Sequence, residues 1–191
     1  MKKWLVVLCV LAPAWVLTLL LPGAGSTPAQ AVSQSGTTFL LEAEGFQGEA
    51  TNSKFSKGAI DVLAWSWGAS NSDARSPNFQ DISFTKYIDR TSPSLLEALG
   101  TGQTIPSAKL HVIRSGDTQQ EYLRLCFTGL HVRSISSGGS SGEDRLTENV
   151  SFSYDTIVQR YQQQKPDGTL DQAVEGSWDT TKNQKGSPAA C

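Results

Sequence analysis

The chain lacks any surplus of positive charge: 16 lysines and arginines stand against 18 aspartates and glutamates. A nucleic-acid partner needs a basic face, so none is expected. Histidine is scarce. His111 and His131 fall in different expected strands, without the carboxylate or cysteine spacing of a zinc site, and each reads as a half-exposed strand residue. No glycine-rich loop joins a strand to a helix, so no nucleotide site and no cofactor are expected. The G-x-S-x-G pattern of a lipase-like nucleophile is missing as well. Gly138-Gly139-Ser140-Ser141-Gly142 approaches it only in composition, within a loop that could not hold a nucleophile in place.

Long apolar runs are confined to the N-terminus. Lys2 and Lys3 precede an apolar stretch from Trp4 to Leu21, interrupted by Pro13, and a Pro/Gly/Ser-rich segment then closes on Ala29-Gln30-Ala31. Charged, greasy and small-residue regions in that order make a secretory signal peptide with cleavage after Ala31, set by Ala29 and Ala31. An uncleaved N-terminal anchor is the alternative, because the run reaches the lower edge of membrane-spanning length. Cleavage predicts a secreted or periplasmic protein with no membrane contact. It leaves 160 residues, enough for one domain with a core, and removes two basic residues, so 14 basic face 18 acidic. The expected division is residues 1–31 as signal peptide, 32–37 as a flexible N-terminus, 38–186 as a β-barrel domain and 187–191 as a C-terminal tail.

Cysteine is rare too, and export would leave two of the three, Cys126 and the terminal Cys191. An oxidising compartment permits one disulfide between them, within or between chains, and two free thiols are the alternative. Along Tyr122 to Thr128, the residues Leu123, Leu125 and Phe127 share one face. Cys126 is therefore expected on the wetter face with Arg124 and Thr128, within reach of solvent.

What the sequence does contain is strand language. Strands are expected over Thr38 to Phe46, Ile60 to Trp67, Phe79 to Ile88, Ala108 to Arg114, Glu121 to Ser136, Glu148 to Tyr161 and Leu170 to Trp178. Polar loops are expected at Gly48 to Lys57, Gly68 to Asn78 and Ser136 to Asp144, and a tight turn at Gly116-Asp117. The spacing of Phe79, Ile82, Phe84 and Tyr87 breaks a strict period of two and suggests a bulge near Asp81. One short helix is expected, with Ser92 capping, Pro93 in the first turn and Gly100 as the stop after Leu99. Its Leu95, Leu96 and Leu99 make a stripe for burial against a sheet. Seven or so strands without alternation of strand and helix predict a mainly β fold, an antiparallel two-sheet β-barrel with one short α-helix.

Trp65 and Trp67 are two apart in an expected strand and share a face, so something packs there. Core or subunit-interface packing is the expected role. A secreted carbohydrate-binding β-sandwich module, with the two indoles as stacking platforms, is the alternative. Glu42 and Glu44 also share a face, a pattern open to acid/base chemistry, yet two acids on a strand more commonly form its wet side.

Five segments in order, GAIDVLAWSWGASN, FQDISFTKYIDRTSPSLLEAL, the run from Ala108 through EYLRLCFTGLHVRSIS, ENVSFSYDTIVQRY and SWDTTKNQKG, resemble the haemolysin-coregulated protein (Hcp) family, the tube subunit of type VI secretion systems. The resemblance covers roughly Phe39 to Gly186. It implies a β-barrel of two antiparallel sheets with a helix at its side, a homo-hexameric ring, rings stacked into a hollow tube, small effector proteins carried in the lumen, and no catalysis. A signal peptide departs from that family's pattern, since its members leave the cytoplasm through the contractile apparatus itself. An exported, ring-forming relative is the resulting expectation, with the loops at Gly48 to Lys57 and Ser136 to Asp144 as candidates for reaching neighbours.

Overall fold

In the computed structural model of the chain, the described residues are 36–52, 55, 58–72, 77–115, 119–187 and 191. The leader with Ala29 and Ala31 and the turn at Gly116-Asp117 lie outside them. The chain divides into a unit of residues 1–32 and a unit of residues 33–191, and every described residue belongs to the second.

Strands β1 (Thr37–Ala43), β2 (Ile60–Ser66), β5 (Ile82–Tyr87), β6 (Thr104–Arg114), β7 (Gln120–Gly138) and β8 (Thr147–Ser153) pair antiparallel in the closed order β7-β6-β1-β2-β5-β8-β7. β7 makes closure possible because it is 19 residues long and changes partner midway. Its first half, Leu123 to Thr128, pairs with β9 (Thr156–Tyr161), and its second half, His131 to Gly138, pairs with β8. Outside the barrel, β9 leads to β10 (Val174–Asp179) and the two-residue β11 (Gln184–Lys185), an extension open on one edge. A separate ribbon joins β3 (Ala69–Ser70) to β4 (Asn78–Phe79).

The hand-over on β7 depends on Gly129. Its φ of +61° is left-handed, and a Cβ there would stand 2.1 Å from Asp155 Oδ2. Only glycine fits both the dihedral and the approach. Pro106 of β6 and Gly129 fall between the paired positions Ile105↔Leu130 and Ser107↔Thr128, so the missing proline N–H breaks no rung.

These irregularities decide which side chains are inside. On β7 the buried set runs Leu125 and Phe127, switches to Leu130 and Val132 after Gly129, and switches again to Ile135 after the register shift between Val132 and Ser134. On β2 a shift between Val62 and Ala64 turns Trp65 and Trp67 toward the core, with Leu63 left outward. The bulge expected near Asp81 is not there: the register shift in this pair lies in β2, opposite Lys86 and Thr85. At Gln80 and Asp81 the chain instead steps from β4 to β5. The expected strand from Glu148 to Tyr161 is also two strands, broken at Tyr154 and Asp155.

The helix α1 (Thr91–Thr101) is longer than the sequence suggests. Gly100 lies within it, and Gly102, at φ +67°, is the left-handed stop. Ser92 sits in its first turn; Arg90 is the N-cap and makes no side-chain bond, and Asp89 before it supplies the acceptor, its Oδ1 taking the Thr91 N–H at 2.8 Å. The buried stripe is Thr91, Leu95 and Ala98, whereas Leu96 is 62% exposed. Beneath the first turn lies a buried ionic knot. Lys86, 1% exposed and in step with the core residues Ile82 and Phe84, reaches Glu148 Oε1 at 2.8 Å and Asp89 Oδ1 at 2.9 Å. The Tyr87 carbonyl and the Ser92 hydroxyl, which itself donates to Glu148, complete its coordination. Burial alone would raise the Asp89 carboxyl, but hydrogen bonds from Thr91 and Lys86 together with the lysine charge hold it below its ordinary value.

Candidate assembly surface

A barrel that closes on itself covers its inner face with its own strands. The corresponding face of the extension is covered only in part among the described residues: Phe79 of β4 lies against Trp178, while the end at Tyr161 and Val174 is exposed. Along β9 and β10 that face carries Ile157, Gln159 and Tyr161, then Val174, Gly176 and Trp178, because alternate residues of paired strands share a side. Ile157 joins the core; Tyr161 is exposed and Val174 is 71% exposed.

Aromatic rings build one wall of this face. Trp67 and Phe79 have centroids 6.3 Å apart, and Phe79 stacks on Trp178 at 6.0 Å with an interplanar angle of 23°. Together with Ile157, Gln159, Gly176 and Ser177 they line an open cleft of about 180 Å³. The Trp67 indole N–H donates to the Tyr154 hydroxyl, which donates in turn to the Gln80 carbonyl at 3.2 Å. Burial raises the Tyr154 pKa and keeps that hydroxyl protonated. By contrast, the buried Trp178 indole N–H has no hydrogen-bond partner among the described residues. A buried donor left over in the free chain suits an acceptor from outside it.

Trp65 and Trp67 both pack, half-buried, against the core, and Trp67 is the one that also faces the cleft. Phe79, Tyr154 and Trp178 complete the arrangement and were not singled out by the sequence. Trp178 carried a signal in its alternation with Gly176 and Val174, whereas nothing local places Tyr154 next to Trp67.

The opposite, outer face of β1, β6 and β7 carries a small apolar cluster, Leu40 and Ile113 with Ala50 and Ala59, and beside it a polar one. The His111 Nδ1–H donates to Glu121 Oε1 at 2.5 Å, its Nε2 stands 3.3 Å from Glu42 Oε2, and Arg124 Nε donates to Glu121 at 2.9 Å. Burial alone would raise the Glu121 carboxyl, but these hydrogen bonds and charges outweigh it and hold the group at about 2. His111 is therefore a buried member of a charge cluster and not the half-exposed strand residue expected. Glu44, past the end of β1, accepts from the Ser107 hydroxyl at 2.9 Å. Cys126 is on this outer face as its alternation requires, yet it is 1% exposed and bonded to Cys191, with the Cα atoms 5.4 Å apart. The expectation of a reachable thiol fails because the C-terminal residue covers it. Among the described residues no group of histidine, cysteine, aspartate and glutamate could hold a metal ion, and no helix is long and apolar enough to cross a membrane.

Residues 40–161, the barrel with β9, match the family model described as type VI secretion system effector, Hcp. The chain is 44% identical over 135 residues to protein hcp1 of Pseudomonas aeruginosa, covering 65% of this chain and 83% of that protein. The crystal structure of Hcp1 from Salmonella typhimurium superposes with a TM-score of 0.68 at 29% identity, covering 78% of this chain and 98% of that one. A type VI secretion system effector from Yersinia pestis superposes with a TM-score of 0.63 at 27% identity, covering 74% and 98%.

Proposed function

The chain belongs to the Hcp family of type VI secretion proteins, and from that premise we infer that it is a non-enzymatic structural subunit that assembles with copies of itself into six-membered rings. Stacked rings would form a hollow tube with room for small effector proteins. The observation that carries this reading is the unfinished extension: three strands beside a closed barrel, with Val174, Tyr161 and an aromatic cleft left uncovered. Exposed apolar surface next to an open sheet edge is what a neighbouring subunit satisfies. The half-buried packing of Trp65 and Trp67 against the core weighs against flat sugar-stacking platforms.

The leader through Ala31 is proposed to send the protein through general export, with residues 38–186 as the assembling domain and the tail tied down behind it. Mass spectrometry of the exported protein is expected to find an N-terminus at Val32. Electron microscopy of the same material is the test of the ring. The expected images show annular particles with a hollow centre, and solitary compact particles at every concentration would overturn the assembly reading.

A further inference from the structure

The chain ends on Cys191, and that last residue is fastened twice. Its sulfur is bonded to Cys126 of β7, and its main-chain carbonyl accepts from Arg124 Nη1 at 3.3 Å. Upstream, Gly186 is fastened to β10: its N–H donates to the Ser177 carbonyl at 3.3 Å, and its carbonyl accepts from the Ser177 hydroxyl at 2.8 Å. Cys126, Val158 and Ser177 form one cross-strand row through β7, β9 and β10. The two anchors thus stand two strand spacings apart, roughly 10 Å, on the outer face. Val158, between them, is buried although it belongs to neither apolar cluster.

Topology gives this crosslink its consequence. Within the sheet, β10 is held by β9 and β11 by β10 through only two residue pairs. The disulfide bypasses that chain of dependence and ties the far end of the extension straight to β7, the strand it shares with the barrel. Gly176 and Trp178, on the opposite side of β10, are one wall of the aromatic cleft. A strand fixed from behind presents a fixed wall in front.

We propose that the Cys126–Cys191 disulfide is a redox latch on assembly: formed after export, it fastens β10 and β11 to β7 and completes the cleft wall, whereas the dithiol form leaves that wall loose and the chain monomeric. The last step rests on the assembly reading above. In closing the latch the two thiols lose two protons and two electrons as the S–S bond forms, and the disulfide of a thiol-disulfide carrier takes them up to become a dithiol. Opening runs in reverse with a dithiol reductant. With Cys126 covered and Cys191 only half-buried, the reductant thiolate attacks the Cys191 sulfur, forms a mixed disulfide there and expels Cys126 as the thiolate.

Backbone hydrogen exchange and light scattering on the exported protein, oxidised, treated with dithiothreitol, and as Cys191→Ser, test the latch. Reduction and the substitution are each expected to speed amide exchange in β10 and β11 at least tenfold, to leave β1, β2 and β5 unchanged, and to bring the mass down to one subunit. Unchanged protection of β10 and β11 in both would overturn the latch, and so would an equal rise across the whole barrel, which would mark a global brace. If the oxidised protein is itself monomeric while β10 and β11 still loosen on reduction, the latch stands and the assembly reading falls.

Discussion

The barrel and the extension are built from the same kind of strand and differ in what completes them. In the barrel every strand has a partner on both sides, Phe84 meets Phe152 edge to face at 5.8 Å, and α1 lays Leu95 and Ala98 against the same core. In the extension one face is open, the last strand is two residues long, and a single covalent link supports the edge. Closure makes a region self-sufficient, and its absence makes a region dependent on something outside it. On the proposed assembly reading, dependence is the useful property, because the exposed face is one that a neighbouring copy would cover.

The sharpest way to break the comparison is to damage the barrel from inside. Lys86→Met leaves Glu148 and Asp89 buried without their cation, and losing one partner of a buried ion pair costs about 3–5 kcal/mol. Chemical denaturation is expected to show that loss as global unfolding, and adding Glu148→Leu is expected to recover a large part of it. Trp65→Ala comes next, at about 2–4 kcal/mol, also global, because Trp65 packs on the barrel core. A Trp65→Ala protein with an unchanged denaturation midpoint would show that this residue is not core packing.

At the joint between the regions, Gly129→Ala forces a side chain into a left-handed position and against Asp155. The expected cost is about 1–3 kcal/mol, with hydrogen exchange rising first in β9. The last effect is electrostatic and confined to a window of pH. The Glu121 carboxyl is held at about 2 in the fold against an ordinary 4.5. A depressed folded value contributes stability that is full above the ordinary value and disappears as pH falls from 4.5 toward 2. The stability gap between wild type and Glu121→Gln is expected to be open at pH 6 and closed by pH 2. A gap independent of pH would mean that Glu121 acts by packing and not by charge.

Most of the barrel was legible because its strands announce themselves by alternation and its breaks by glycine and proline. The legible signal was local. Each error came from a long-range or irregular feature: the register shift expected near Asp81 lies at Val62 and Ala64 instead, and the split at Tyr154 and Asp155 follows from β7 changing partner at Gly129. Lys86 stands in step with Ile82 and Phe84, so its burial is written in the pattern, but the carboxylate that permits it, Glu148, is 62 residues away. His111 was placed on the correct strand, and Cys126 on the correct strand and face. Their burial was hidden because Glu121, Arg124 and the last residue of the chain cover them. The open cleft was half visible in Trp67 and in the alternation that carries Trp178, and invisible in Phe79, which reaches it from the separate β3–β4 ribbon.

The claim that a neighbour completes the extension is tested most directly by the light-scattering mass of the oxidised, exported protein beside its Val174→Lys variant. Wild type is expected at the mass of six subunits, with Val174→Lys at one and with the same denaturation midpoint. A monomeric wild type, or a Val174→Lys protein that keeps the wild-type mass, would contradict the account.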